Sequence, residues 1–417
     1  MATHDVDETV LTLIGSGQAD TRPAIVKQTG LAPSTVSAAV SRLVEAGVIA
    51  EAEHSVSTGG RRARRLVTSD GAGALALVEL GAHHGLVALT DPTRGVGQAS
   101  SLLIDIAEGP QAVLSAVMDE VSRQEEAAGV RVGGIALAVP GPVEAERSRV
   151  IRPARMPGWD GVNVAEAVTE QSGLPALIEN DARAGAIGES VYRRRLQGVT
   201  PIDTLIYVKA GSAIGGAYLV DGVPQVGQGG LAGDISHIPV EAAAGRPCKC
   251  GNVGCLETIA SADSIRADLA AAGLVYENNA QLLAAARDGI PEVATAIRQA
   301  GTLLGHCVAH LVSFLAPQGV IVGGALSAVD AFTAGVRAAL HQSCLPSIME
   351  HLVIESSRSG REAALWGLST LTPAKTPREN RHCPPPALRP PDPPPNPPRS
   401  RRIFRPPTTS SSPAASS

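Results

Sequence analysis

The sequence predicts an α/β protein whose N-terminal end carries a winged helix-turn-helix. Three observations lead there: apolar β-like runs alternating with helical ones over about residues 72 to 371, a helix-glycine-helix segment followed by a diglycine ribbon, and glycine-rich loops closing several of the runs. At 417 residues and 44% apolar composition the chain exceeds one hydrophobic core, and composition divides it into segments 7–69, 72–371 and 373–417. The first twenty residues are acidic, without a basic start before an apolar block, and no apolar run reaches membrane-spanning length. A cytoplasmic protein with no membrane association is the expectation.

In the first segment, RPAIVKQTGLAPSTVSAAVSRLVEAGVIAE gives a helix over Arg22–Thr29, a turn at Gly30 and a second helix over Pro33–Ala46 that stops at Gly47. On the second helix Val36, Val40, Leu43 and Val44 recur at helical spacing and are expected to face the core. Ser34, Thr35, Ser37, Ala38 and Ser41 then point outward, small groups suited to a DNA major groove. The following stretch reads as a two-stranded wing with Gly59-Gly60 at its tip and Arg61, Arg62, Arg64 and Arg65 directly behind it. Between Thr21 and Ser69 seven Lys and Arg face three acids, a local +4 in a protein of net charge −5. Clustered guanidinium groups on a wing suit phosphate contact or minor-groove insertion, so double-stranded DNA is the expected partner.

The middle segment supplies strands that end in loops. ALALVELGAHHGLVALTD reads as two strands joined by a tight turn at Gly81, and GGIALAVPGPV as a buried strand. ALIENDARAGAIGE runs a strand into Asn180-Asp181 at the mouth of a helix, LIYVKAGSAIGGAYLVDG is a hairpin, and GVIVGGALS a strand before a diglycine loop. Such loops at the carboxyl ends of strands are where α/β proteins bind ligands.

PCKCGNVGCLE places Cys248, Cys250 and Cys255 within eight residues, while the other three of six cysteines are scattered. A disulfide framework does not fit that distribution. Gly251 and Gly254 let the backbone curl so that three thiolates converge, and a tetrahedral zinc needs one more ligand. His237 is the nearest imidazole, at the end of a β-like run, so His237, Cys248, Cys250 and Cys255 are read as a closed structural Zn2+ site. The alternative is a reduced thiol cluster with His237 merely packed. The last segment holds 15 of the 31 prolines and a serine-rich end, which excludes a packed core and reads as a disordered extension.

Together, CKCGNVGCLE with His237, the Asn180-Asp181 pair and the glycine loops resemble the ROK family (repressors, open reading frames, kinases), over about residues 72–371. The resemblance implies a two-lobed actin-like (ribonuclease H-like) sugar-kinase fold with sugar in the cleft, and a homodimer or homotetramer. It assigns sugar contact to Asn180, Asp181, Asp234, His237 and Glu257, with Asp181 as the base in family kinases. At Asp234 the family usually carries glutamate, so this carboxylate is one methylene shorter.

With the N-terminal module, the resemblance implies a sugar-responsive transcriptional repressor of carbohydrate metabolism genes, released by a sugar or sugar phosphate. The alternative is an ATP-dependent sugar kinase with a fused DNA-binding module, and a third reading has a protein as effector. Against the kinase, Glu79-Leu80-Gly81-Ala82-His83-His84 stands where family kinases carry an Asp-x-Gly-Gly-Thr phosphate loop, and Ala213 replaces the middle glycine of a second loop. A non-catalytic protein is therefore expected.

Overall fold

The computed structural model describes residues 6, 7, 9, 10, 13, 14, 19–45, 49–52, 64–68, 73–91, 95–196, 199–371 and 373. Helix α1, Arg22–Thr29, starts at Thr21, whose side chain accepts from the Ala24 amide, and ends at Gly30 with φ 69°, a left-handed conformation that glycine adopts without strain. Helix α2, Pro33–Glu45, follows, and strands β1, Ile49–Ala52, and β2, Arg65–Thr68, pair antiparallel with Ala52 opposite Arg65. Ile25, Val36, Ala39, Val40, Leu43, Ile49 and Leu66 form one small core. Two helices joined at Gly30 and an antiparallel strand pair stand where the sequence suggests them, whereas Gly59-Gly60 lies outside the described residues.

Two five-stranded sheets follow. The first runs β5-β4-β3-β6-β7, built from β3 Ala74–Leu80, β4 Gly85–Leu89, β5 Ser100–Leu102, β6 Val132–Val139 and β7 Ala176–Asn180. In it β4 pairs antiparallel with both β5 and β3, and β3, β6 and β7 are parallel. The second sheet runs β10-β9-β8-β11-β12, from β8 Leu205–Ala210, β9 Ile214–Val220, β10 Val223–Pro224, β11 Gly319–Gly323 and β12 Val353–Ser356. It repeats the pattern, an antiparallel trio joined through its third member to two parallel strands. Each lobe is therefore the same design, and the apolar runs of the central strands follow from burial on both faces.

The first sheet carries helices α3, Pro110–Ala128, and α4, Val164–Ser172, over a core that includes Val78, Val117, Ile135 and Val168. The second is covered by a helical layer in which the long Pro291–Leu315 helix contributes Val293, Ile297, Leu304 and Val308. Between the lobes runs α5, Asp181–Arg195, which packs on Tyr207 and Ala217 of the second sheet. It also crosses the C-terminal helix Ala363–Leu368 at two glycines. A Cβ on Gly188 would stand 1.8 Å from the Ala363 carbonyl oxygen, and one on Gly367 would stand 1.9 Å from that of Ala184. Among the described residues no helix is long and apolar enough to cross a membrane.

That crossing admits no side chain at either glycine. Gly188→Ala is expected to cost about 3 kcal/mol by forcing the two helices apart. Thermal unfolding of the purified variant checks it, and an unchanged midpoint would show that the crossing yields.

Candidate functional site

On α2 the buried side chains are Val36, Ala39, Val40 and Leu43, so Ser34, Ser37, Ala38 and Ser41 lie exposed on the opposite side and Thr35 is half-buried. Val44 corrects the sequence reading: it is 37% exposed, because Ala39 and Val40 already complete the stripe facing α1. Arg64 is exposed, and its guanidinium donates to Glu51 Oε2 at 2.6 Å while Arg22 takes Oε1 at 2.6 Å. Arg65 sits in the ladder opposite Ala52, and Arg61 and Arg62 lie outside the described residues.

A cleft of about 910 Å³ opens where the two lobes meet, and its walls include Asn180, Asp181, Asp234, His237 and Glu257. The first two are placed by the β7-to-α5 junction. Asn180 caps the helix, its Oδ1 accepting from the amides of Ala182 and Arg183, while its Nδ2 donates to the Gly141 carbonyl at 3.0 Å. Asp181, 8% exposed, accepts from the Ala182 amide on Oδ1 and from Lys209 Nζ on Oδ2 at 2.8 Å. The same ammonium donates to Glu79 Oε1 at 2.6 Å. Burial opposes the Lys209 charge, and the carboxylates of Asp181 and Glu79 outweigh it, so its pKa is raised.

His237 closes a single 3₁₀ turn, Ile235–His237, rather than ending a strand as the sequence reading had it. Ile235, Ile238 and Val240 around it give the stretch its β-like composition, but the Ile235 carbonyl accepts locally from the Ile238 amide. Its Nδ1 lies 3.5 Å from Cys248 Sγ, and Cys250 Sγ lies 3.7 Å from Cys255 Sγ. One ligand atom from each of the four residues falls within 4.8 Å of all the others. Donors held at about 2.0–2.3 Å around a tetrahedral ion stand about 3.5–3.8 Å apart, so this donor set fits such an ion. His237 Nε2 is 4.0 Å from Asp234 Oδ1, which accepts from Ser236 Oγ at 2.8 Å.

Glu257 begins a short helix, Glu257–Ala260, two residues after Cys255. Its Oε1 accepts from Arg155 Nη1 at 2.7 Å and its Oε2 from the Ile214 amide at 2.8 Å. Burial pushes its pKa up to about 7 against the pull of Arg155. Arg155 also binds Asp263, so it ties the β6–α4 loop of the first lobe to the second lobe.

A family model described as ROK family matches residues 76–375. The chain belongs to the ROK family. The xylose repressor of Caldicellulosiruptor bescii is 27% identical over 375 residues, covering 86% of this chain and 92% of that protein. The glucokinase of Halalkalibacterium halodurans is 27% identical over 250 residues, covering 56% of this chain and 74% of that enzyme. A solved ROK family transcriptional regulator, a homologue of the Escherichia coli MLC protein, superposes with a TM-score of 0.66 at 24% identity. It covers 88% of this chain and 95% of its own. The fold is thus the α/β architecture shared by ROK regulators and kinases.

Within this ROK cleft the Gly81–His84 turn forms part of the wall. The His84 ring lies against the Gly81 backbone, where a Cβ would stand 2.6 Å from its Cε1. Lys209, Glu79 and Arg155 escaped the sequence reading as a set. The signal for Lys209 was a lone charge inside an apolar strand; Arg155 sits in an irregular loop and carried none. Arg155→Met leaves Glu257 and Asp263 without their guanidinium, and a loss of about 2 kcal/mol is expected. Chemical denaturation measures it, and a midpoint like that of the native protein would show that the pair holds nothing.

Proposed function

We propose that this ROK protein is a cytoplasmic, sugar-responsive DNA-binding repressor of carbohydrate metabolism genes. The observation that carries this reading is coverage: the repressor relative aligns over 86% of the chain, the glucokinase over 56%. Residues 7–69 are assigned to DNA binding, 72–371 to sugar binding and homodimer or homotetramer formation, and 373–417 to an extension. The exposed Ser34, Ser37, Ala38 and Ser41, with Thr35, enter the major groove, and Arg61, Arg62, Arg64 and Arg65 meet phosphates. Two modules on a symmetric oligomer match an inverted repeat.

In the cleft, Asp181 and Asp234 accept from sugar hydroxyls and His237 Nε2 lies on the same wall. Asn180 holds the helix start and the Gly141 loop around them, and Glu257 fixes Ile214 and Arg155 at the floor. His237, Cys248, Cys250 and Cys255 hold Zn2+, which in a closed four-ligand site supplies rigidity to the imidazole. A sugar or sugar phosphate weakens operator binding only by binding one cleft geometry more tightly than the other. The sugar-kinase alternative draws on Asp181, but Glu79-Leu80-Gly81-Ala82-His83-His84 stands where family kinases carry the phosphate loop, with the His84 ring against Gly81.

Fluorescence anisotropy with DNA from upstream of the protein's own gene, at two salt concentrations, tests the reading against a panel of D-xylose, D-glucose and their phosphates. Salt-sensitive binding released by one sugar is expected, and Asp181→Ala is expected to lose about tenfold of that shift. Full release in Asp181→Ala would remove this pocket as the sensor, and sugar-dependent ATP turnover would restore the kinase. Metal analysis is expected to find one zinc per chain, lost in Cys250→Ser together with the sugar response. A zinc-free native protein that still responds would overturn the metal assignment.

A further inference from the structure

Lys209 stands on β8 with Gly215 and Gly323 as its partners on the two neighbouring strands. No side chain flanks it in the ladder, so its stem is free to run toward the cleft. There its ammonium meets carboxylates from two different parts of the molecule. Asp181 opens α5, 28 residues away in sequence, at 2.8 Å, and Glu79 lies on β3 of the first lobe, 130 residues away, at 2.6 Å. The lysine and Glu79 side chains are 21% and 8% exposed, so the bridge is shielded from salt and solvent.

Two carboxylates held this way favour a cation between them, and the ammonium supplies one positive charge there. A hydroxyl donated to Asp181 Oδ2 competes with Nζ for the same lone pairs. Lysine has three rotatable donors on a flexible stem, so what it loses at Asp181 it can regain at Glu79. Ligand contact on one lobe therefore alters the ion pair that reaches the other.

We propose that Lys209 is the coupling residue of the cleft: a fixed cation on β8 of the second lobe shared by ligand-facing Asp181, which directly follows β7, and by Glu79 on β3 of the first. Through it a neutral polyhydroxylated ligand changes the hold of one lobe on the other without metal ion or nucleotide. The proposal rests on the sugar-site reading above, with Lys209 as a positioning residue.

The test separates coupling from binding. With the full chain and the panel sugar that releases DNA, anisotropy gives the sugar's shift in DNA affinity and calorimetry gives sugar affinity. Glu79→Gln is expected to lose about tenfold of the DNA shift and no more than about threefold in sugar affinity. Lys209→Met is expected to lose both. Glu79→Gln with full DNA release, or with equal losses on both scales, overturns the proposal. If no panel sugar binds the native protein, the sugar reading fails, and the bridge is judged on ligand-free protein by hydrogen exchange. Glu79→Gln should then raise exchange at Gly81–His84 and Gly211–Ile214 together, and a rise confined to the side carrying the substitution overturns it.

Discussion

The molecule is organised around a helix that has almost no surface. Twelve of the 15 residues of α5 are buried, among them Arg183, Glu189 and Arg193. Charges so placed must be paired or they destabilise the fold by several kcal/mol, on the order of 3–5 for a broken buried pair. Arg183 meets Glu179 at 2.6 Å and the carbonyls of Gly230 and Val143, two loops that lie against each other. Arg193 meets Glu189 and Glu355. Burial opposes the Glu189 charge, and donors from Ser359, Arg358 and Ser357 more than offset it, leaving its pKa below the ordinary carboxylate value.

Because both ends of this helix are tied, its first residue cannot wander. Asp181 sits in the first turn, where the helix dipole favours an anion, and Asn180 satisfies the amides behind it. The cysteine loop is fixed in a comparable way by its own backbone: Cys248 N donates to the Asn252 carbonyl, Gly254 N to that of Arg246, and Pro239 bridges Cys255. Four donor atoms thus converge in a frame built from hydrogen bonds. Glu257 follows on that frame and clamps Ile214 at the head of the second lobe's hairpin.

What the sequence made legible divides along a physical line. Local signals succeeded: the Gly30 turn, the strand runs, the Asn180-Asp181 junction and the cysteine spacing are each decided within a few residues. Val44 was misplaced because an apolar stripe on a short helix says which residues can be buried, not how wide the facing surface is. For His237 the nearby apolar Ile235, Ile238 and Val240 suggest a β-like run, whereas the bond from the Ile238 amide to the Ile235 carbonyl closes a 3₁₀ turn. The Lys209–Glu79 and Arg155–Glu257 pairs join residues more than a hundred positions apart, and no local pattern encodes such a meeting. A lone lysine in LIYVKA signalled a buried partner without naming it.

The repeated sheet topology explains how one architecture serves ROK kinases and ROK regulators alike. Two copies of the same lobe, facing each other across a cleft, give a binding site whose shape depends on their mutual angle. Phosphoryl transfer needs more than that: a loop open to phosphate oxygens, and a free carboxylate oxygen beside the accepting hydroxyl. Here His84 lies over Gly81 and Lys209 holds Asp181 Oδ2, while the polar wall of Asn180, Asp234, His237 and Glu257 remains. A switch requires only that one lobe angle bind ligand better than another. An ammonium that bridges Asp181 and Glu79 ties the two lobes at the point where such an angle would have to change, so the cleft's polar wall and its inter-lobe tie meet at one side chain.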